Sequence, residues 1–397
     1  MHDKIPRSLA SILTRDARHY PALALVGPRQ CGKTTLAKQW LQSIRDAGGQ
    51  TQYFDLEKPS DHMKLASDPE AFLRRQMGTV CIDEVQYAPA LFEVLRALID
   101  EDRRPGRFLL LGSAAPALLK QSSETLAGRI ATRELTPFQW RELASAGVGQ
   151  NPLVTLESLW LRGGFPDSTL AEDDAASFRW RLDFIRTFLE RDIPQLGFRV
   201  PAQTMERFWR MCAHLHGQSL NLSYLGQALG TSHTAPRNHL DILSGSFMMR
   251  LLEPTEANLS KRLVKTPKAY VRDSGLLHAL LGLETFNDLD GHPVRGVSWE
   301  GFVIEKLMGA AAEGWRASYY RTAQGAELDL ILEKGSRRIA FECKASTSPS
   351  VTRGFWTSLD DLKITEAYIV APIQQSFPIG RGIEAIGLSA AVKMVTG

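Results

Sequence analysis

The chain has 397 residues, 44% hydrophobic and 23% charged, with a formal net charge of +3. That length exceeds one ordinary domain, and that composition excludes a disordered, collagen-like or disulfide-stapled protein in favour of a soluble globular one. The small net charge supplies no overall attraction to nucleic acid, so any basic binding surface must be local.

Cys31, Cys81, Cys212 and Cys343 are scattered without a C-x-x-C pair, which argues against a zinc site or a disulfide framework. Two of them lie inside candidate active-site motifs, as suits a reducing cytosol, and a cytoplasmic location is the expectation. There is no signal-peptide pattern. No apolar run approaches the roughly 18 residues of a membrane span, so no membrane partner is expected.

Residues 3–20 read as a helix leading into an apolar strand, Ala22–Val26, followed by Val26–Thr35, VGPRQCGKTT. Gly27, Gly32, Lys33 and Thr34 satisfy G-x-x-x-x-G-K-[ST], with a strand before and a helix, Thr35–Leu41, after. Glycines let backbone wrap phosphate without a Cβ clash, and the N–H groups of the loop and helix terminus point at anionic oxygens. Gly27, Pro28, Arg29, Gln30, Cys31, Gly32, Lys33, Thr34 and Thr35 are therefore the expected nucleotide cradle. Lys33 would reach the β- and γ-phosphates of ATP, and the Thr34 hydroxyl would bind Mg²⁺.

A second strand is expected at Thr51–Leu56 and a third at Gly78–Glu84, GTVCIDE. The third ends in the two acids of a Walker B pattern. Asp83 would hold Mg²⁺ and Glu84 would orient or deprotonate the attacking water. A bare cap for the following helix, Ala90–Glu101, is the bland alternative. Open α/β sheets gather their sites at strand C-termini, which favours the chemical reading. Arg107–Ala114 is the next buried strand, ending where Ser113 can sense the γ-phosphate, and Ile130–Leu135 is a further one. Strands alternating with helices predict a parallel sheet covered on both faces. Arg129 reads either as a charge-stabilising arginine, in cis or toward a neighbouring subunit, or as a surface arginine.

GPRQCGKTT, CIDEVQ, LLLGSAAPALL and ETLAGRIATRELTPFQWREL together resemble a bacterial and archaeal family of AAA-type ATPases, with GGFPD (Gly163–Asp167) and FIRTFLERDIPQLG (Phe184–Gly197) extending the likeness. The resemblance runs along nearly the whole chain. It implies an ATPase domain followed by a C-terminal region of unknown function, and ATP binding. It brings no defined cellular role. A homo-oligomeric ring, a hexamer among the candidates, accords with it.

A turn-rich break at Gly147–Pro152 closes the expected ATPase domain, residues 1–146. Residues 154–215 then read as helices, with Trp180, Phe184 and Phe188 at helical spacing. This stretch, 147–216, is the expected lid or linker. Arg186 and Arg191 are either arginine fingers or solvated helix charges. In the next segment, 217–290, helix Leu222–Leu229 ends at Gly230, and Thr231-Ser232 cap a second helix, His233–Leu243. That is a helix-turn-helix. Strands at Phe247–Glu253 and Lys268–Arg272 would make it a winged helix. Over residues 233–272, Arg237, Arg250, Lys261, Arg262, Lys265, Lys268 and Arg272 outnumber Asp241, Glu253 and Glu256. Arg237, Lys261, Arg262 and Lys265 are the expected DNA contacts. A winged helix used for protein contacts is the competing reading.

Residues 291–397 form the last expected domain, with helix Ser298–Ala312, strands Ser318–Arg321, Glu327–Leu332 and Arg338–Ala345, helix Ser350–Leu362 and a last strand Ala367–Ala371. The α-β-β-β-α-β order resembles a restriction-endonuclease-like core, whose signature is Asp, then Glu-x-Lys. Asp329 and the pair Glu342 and Lys344, on one face at a period of two, fit it, and Glu300 would complete the site. Asp329 and Glu342 would bind Mg²⁺, with Lys344 positioning a water. A cross-face salt bridge in a fold without chemistry is the alternative.

The expected fold class is thus α/β: an AAA-type P-loop NTPase sheet, a helical and winged-helix region, and a restriction-endonuclease-like α/β domain. The expected function is a Mg²⁺-dependent ATPase acting on DNA, with endonuclease activity open. The alternative is a nucleotide-switched regulator or scaffold whose C-terminal region holds protein partners.

Overall fold

A computed structural model describes residues 5–113, 125–146, 155–230, 234–255 and 263–396. The chain divides into two compact units, residues 1–138 with 245–247, and residues 139–244 with 248–397.

The first unit is built on α1 (Leu9–Asp16), β1 (Ala22–Val26), α2 (Lys33–Asp46), β2 (Thr51–Asp55), α3 (Pro59–Ser67), α4 (Pro69–Arg74), β3 (Thr79–Asp83), α5 (Leu91–Glu101), β4 (Phe108–Gly112) and β5 (Ile130–Glu134). The strands pair in parallel in the order β2-β3-β4-β1-β5. Every residue of β1 and β4 is buried, as continuous apolar runs require when both faces of a parallel sheet are covered. Alternate side chains divide between the faces. Val26, Val80, Ile82, Phe108 and Leu110 pack with Leu91, Leu95 and Leu98 of α5. Leu23, Leu25, Cys81, Leu109 and Leu111 pack with Leu36, Ala37, Trp40 and Leu41 of α2. Truncating one of these leucines to alanine costs about 2–5 kcal/mol. The helix expected over residues 3–20 is shorter, because Pro21 disfavours helical backbone at Tyr20 and α1 stops at Asp16.

The second unit contains α6 (Trp140–Ser145), α7 (Leu156–Arg162), α8 (Asp174–Thr187), α9 (Ala202–His214), β6 (Gln218–Ser219), α10 (Leu222–Leu229), α11 (Ala235–Gly245), β7 (Met249–Leu252), β8 (Lys268–Val271), α12 (Ser274–Leu280), α13 (Arg295–Ala310), β9 (Arg316–Arg321), β10 (Glu327–Lys334), β11 (Arg337–Cys343), α14 (Arg353–Leu362), β12 (Glu366–Ala371), β13 (Phe377–Gly380), β14 (Ile383–Gly387) and α15 (Leu388–Val395). A small antiparallel sheet has the order β6-β8-β7, and a mixed six-stranded sheet the order β13-β14-β12-β11-β10-β9. The expected α-β-β-β-α-β order is present from α13 to β12, but Ala367–Ala371 is not the last strand. The sequence signal for β13 and β14 is weak because β13 is a short, largely exposed edge carrying Pro378.

Residues 139–244 and 248–397, which span the boundaries expected at 146/147, 216/217 and 290/291, group as one compact unit. The physical reason is a shared polar and aromatic core. The Trp160 ring meets the Trp299 ring edge-on at 5.0 Å, and the Trp160 Nε1–H donates to Ser298 Oγ at 2.9 Å. His278 Nδ1 lies 2.9 Å from the Leu161 carbonyl and its Nε2 lies 2.7 Å from Ser298 Oγ. A carbonyl only accepts, so Nδ1 carries the proton and Nε2 accepts from Ser298. At the other end, Asp273 caps α12 and its Oδ2 accepts from the Gly164 N–H at 2.8 Å. Trp140 Nε1, expected to belong with the ATPase domain, donates to Ser389 Oγ at 2.8 Å.

Candidate functional site

Because all five strands of the first unit are parallel, their C-termini share one edge, where open α/β sheets place ligands. β1 runs into the Gly27–Thr35 loop there. Gly27 has φ +151°, and a Cβ on it would lie 2.2 Å from the Leu135 carbonyl oxygen. Gly32, in the left-handed region, opens α2 at Lys33, so the first N–H groups of α2 face the loop. Lys33 is buried and donates to the carbonyls of Gly27 at 2.9 Å and Pro28 at 2.8 Å. Cys31 is buried with Sγ 3.3 Å from the Leu135 carbonyl, and burial pushes its thiol above its ordinary range. Gln30 also has positive φ, and Thr35 lies in the first turn of α2.

β4 lies between β1 and β3, so Ser113, directly after β4, stands between the loop and the two acids that end β3. The Thr34 hydroxyl donates to Asp83 Oδ2 at 2.8 Å, and the Tyr53 hydroxyl donates to the same oxygen at 2.5 Å. Burial raises the Asp83 carboxyl above its ordinary range, while these two hydrogen bonds pull it back down. Glu84 sits at φ +55°, a left-handed conformation of the kind that concentrates at functional sites. Ser113 Oγ donates to Glu84 Oε2 at 2.9 Å, and Gln86 Nε2 donates to the same oxygen. The donor set fits a hydrated magnesium ion beside phosphate, since Thr34 and Asp83 offer hard oxygens next to a cluster of N–H groups and one ammonium.

Two residues of this site, and the partners of Arg29, escaped the sequence reading. Tyr53 is one, and strand order alone brings β2 beside β3. Arg7 is another. It is buried, donates to the Cys31 carbonyl at 2.8 Å and to the Thr136 carbonyl, and so braces the loop from before β1. Arg29 donates to Glu57 at 2.7 Å and to the Tyr87 hydroxyl at 3.2 Å. Nothing in local periodicity marks any of these pairings.

Arg129 is placed away from the loop of its own chain. It precedes β5, and its carbonyl accepts from the Ala22 N–H at the start of β1. It therefore lies at the edge of the sheet opposite the loop, about 17 Å away along a five-residue strand. It cannot reach a nucleotide on its own chain. It forms a two-point ion pair with Asp100 at 2.7 and 2.9 Å. Arg186 faces Asp183 at 3.8 Å, and Arg191 donates to Asp192 at 2.9 Å.

In the second unit Glu300, Asp329, Glu342 and Lys344 do come together. Asp329 and Glu342 lie one step beyond the paired residues Leu330 and Phe341 on neighbouring strands. Asp329 Oδ2 accepts from the Cys343 N–H at 2.8 Å, and Lys344 Nζ donates to Glu342 Oε1 at 2.7 Å. Burial, then the mutual repulsion of the carboxylates, raises the Asp329 carboxyl well above its ordinary range. Burial likewise raises that of Glu342, against the pull of Lys344.

Lys268 of β8 enters the cluster from the side of Glu300 and Glu327. Its ammonium lies 2.9 Å from Glu300 Oε1, 2.6 Å from Glu327 Oε1 and 3.9 Å from Asp329 Oδ1, and the Tyr270 hydroxyl donates to Glu300 Oε1 at 2.6 Å. Burial alone would lower the pKa of Lys268, but Glu300, Asp329 and Glu327 outweigh it and raise it. Among the described residues no three acidic, imidazole or thiol groups converge to hold a metal. Asp329, one of the two expected metal ligands, thus has the Lys268 ammonium beside it, and Glu342 has that of Lys344.

The basic surface also needs correction. Arg250 and Arg272 are not exposed cations; both pair with Glu305 of α13, Arg272 at 3.1 Å. Lys268 is buried. Arg237 on α11 is exposed and faces Asp241 at 3.3 Å, and Lys265 is exposed. Lys261 and Arg262 lie outside the described residues.

A parallel sheet of this order, with a phosphate-type loop after β1 and an Asp-Glu pair after β3, defines an AAA-type P-loop ATPase. The AAA domain family matches residues 19–144, and two domains of unknown function, DUF8612 and DUF4143, match residues 154–287 and 295–391. The chain belongs to the family of AAA-type P-loop ATPases with a C-terminal DUF4143 domain. It is 42% identical over 380 residues to the uncharacterized protein Rv2008c of Mycobacterium tuberculosis, covering 96% of this chain and 83% of that one. The same figures hold for the uncharacterized protein Mb2031c of Mycobacterium bovis. Among solved structures it is similar to the Walker-type ATPase PABY2304 of Pyrococcus abyssi, at 14% identity and a TM-score of 0.46 over 70% of this chain and 96% of that one. Among the described residues no helix is long and apolar enough to cross a membrane.

Proposed function

We propose that this nucleotide-binding ATPase hydrolyses ATP with magnesium and spends the cycle on DNA held by the helix-turn-helix of α10 and α11, with β7 and β8 as the wing and a nuclease-like fold attached. Magnesium, when bound, neutralises charge between the β- and γ-phosphates. The chain does the rest. Lys33 gives up its carbonyl partners for phosphate oxygens, Thr34 and Asp83 hold the metal's shell, Glu84 orients the attacking water, and Ser113 reads the γ-phosphate from between them. Arg129, which lies far from its own loop, would serve the nucleotide of a neighbouring copy in a ring. The observation that carries the ATPase reading is the meeting of Thr34 with Asp83 and of Ser113 with Glu84 at one sheet edge. The DNA part rests on exposed Arg237 and Lys265 on a module shaped for a groove.

The test is the ATPase rate with and without single-stranded, duplex and four-way DNA. Stimulation by one of them supports DNA as the client; hydrolysis indifferent to all three removes it. A second reading, a nucleotide-switched scaffold without nuclease activity, gains support from the engagement of Arg250, Lys268 and Arg272 in ion pairs, which thins the expected basic face.

A further inference from the structure

We infer that Lys268 is a built-in cation that closes the carboxylate cluster of the second unit, so that this cluster is a metal-free structural junction joining the small sheet to the mixed sheet. Three elements meet there. Glu300 comes from α13, Glu327 and Asp329 from β10, and Lys268 and Tyr270 from β8. The Lys268 side chain is 3% exposed and is shared among three carboxylates, two of them within 3 Å. Its ring neighbour, Tyr319 of β9, lies 5.4 Å from the ammonium. A divalent ion entering the same space would have to displace a buried ammonium or sit against it. Either course leaves a charge without its partner in a poorly solvated site, which is costly.

Several oxygens of the cluster have further partners. Glu300 Oε1 takes Tyr270, Asp329 Oδ2 takes the Cys343 N–H, and Glu342 Oε1 takes Lys344. Glu342 Oε2 is buried without a hydrogen-bond partner. That atom is what a metal would claim once Lys268 is gone. Removing the ammonium while keeping the stem's volume should therefore turn the junction into a cation site, because Glu300, Glu327 and Asp329 then lack their shared positive partner.

The experiment is a titration of the full chain, without nucleotide, with Mn²⁺ at millimolar concentration, read by calorimetry and by the manganese paramagnetic signal. Wild type is compared with Asp329→Asn, and Lys268→Met with Lys268→Met/Asp329→Asn. The expected result is no difference between wild type and Asp329→Asn, and one added site per chain in Lys268→Met that is lost in the double variant. An Asp329-dependent site in wild type overturns the inference, and this comparison needs no Lys268 variant to fold. A folded Lys268→Met, judged by circular dichroism and retained ATPase activity, that gains no site overturns it too. None of these outcomes depends on whether DNA is the client.

Discussion

The hydroxyl of Thr34 and the carboxylate of Asp83, 49 residues apart in sequence, lie within a 2.8 Å hydrogen bond. That contact exists because β3 and β1 end on the same edge of a parallel sheet with β4 between them. It ties the phosphate loop to the acids that would handle metal and water, and it makes the two motifs one site.

Lys33→Ala should abolish ATP binding. Glu84→Gln should leave binding intact and slow hydrolysis roughly a hundred- to ten-thousandfold, since it keeps the side chain's shape and removes the base. Equilibrium nucleotide binding and steady-state phosphate release measure the two effects separately. Wild-type turnover by Glu84→Gln would assign water activation to another group.

Tyr53→Phe removes the second hydroxyl on Asp83 Oδ2 and nothing else of its ring. Partners that orient a metal ligand typically set metal affinity by about ten- to a hundredfold. The Mg²⁺ concentration for half-maximal ATPase activity should rise by that order, with the KM for ATP at saturating Mg²⁺ little changed. An unchanged Mg²⁺ requirement would reduce Tyr53 to a packing residue.

Replacing Arg237, Lys261, Arg262 and Lys265 with alanine should weaken DNA binding and flatten its dependence on salt, because each lost phosphate contact releases fewer counterions. ATP binding should not change. A salt slope equal to wild type would move the DNA contact elsewhere on the chain.

How much of this was legible in the sequence depends on the range of the interaction. The Gly27–Thr35 loop and the Asp83-Glu84 pair carry local residue patterns, and their strands are continuous apolar runs, so both were readable. So was the convergence of Asp329, Glu342 and Lys344, since a period of two fixes a sheet face. Lys268 was misread as a surface charge because its partners, Glu300 and Glu327, come from elements 32 and 59 positions away, and local charge counting cannot tell a buried ion pair from a solvated cation. Arg129 stayed open between a charge-stabilising and a surface arginine for the same kind of reason. Its number places it after β4, but only the strand direction puts it at the far edge.

Gly163 offers a test of how the second unit is held together. It has φ +77°, and a Cβ there would meet Asp273 Oδ1 at 2.0 Å. Gly163→Ala should cost about 2 kcal/mol or more from backbone strain and displacement of the α12 cap. The urea midpoint followed by tryptophan fluorescence reads this. A wild-type midpoint would show that the turn relaxes freely.

Two histidines and one glutamate of the second unit lose their contribution to stability in acid, in two stages. Burial holds His216 and His278 neutral, pushing each from 6.5 to about 3. An unfolded histidine takes up a proton as pH falls through 6.5, and the folded one does not until about 3. The unfolded state therefore binds more protons in that window, and stability falls with pH by up to about 1.4 kcal/mol per pH unit for each histidine. Glu305 follows the same sign in a lower window. Burial would raise its carboxyl, but Arg250 and Arg272 outweigh that and hold it at about 2, against an ordinary 4.5. Its contribution is present above 4.5 and is lost as pH falls from there to about 2. Asp329 and Glu342, whose carboxyls burial raises, act in the opposite sense, so the histidine part is read as the difference between wild type and His278→Gln in urea unfolding between about pH 7 and 5. His278→Gln should lower stability at neutral pH, because Ser298 and Leu161 lose the imidazole between them, yet remove about half of the early pH slope. A slope identical to wild type in that variant would mean that His278 is not held neutral in the folded chain.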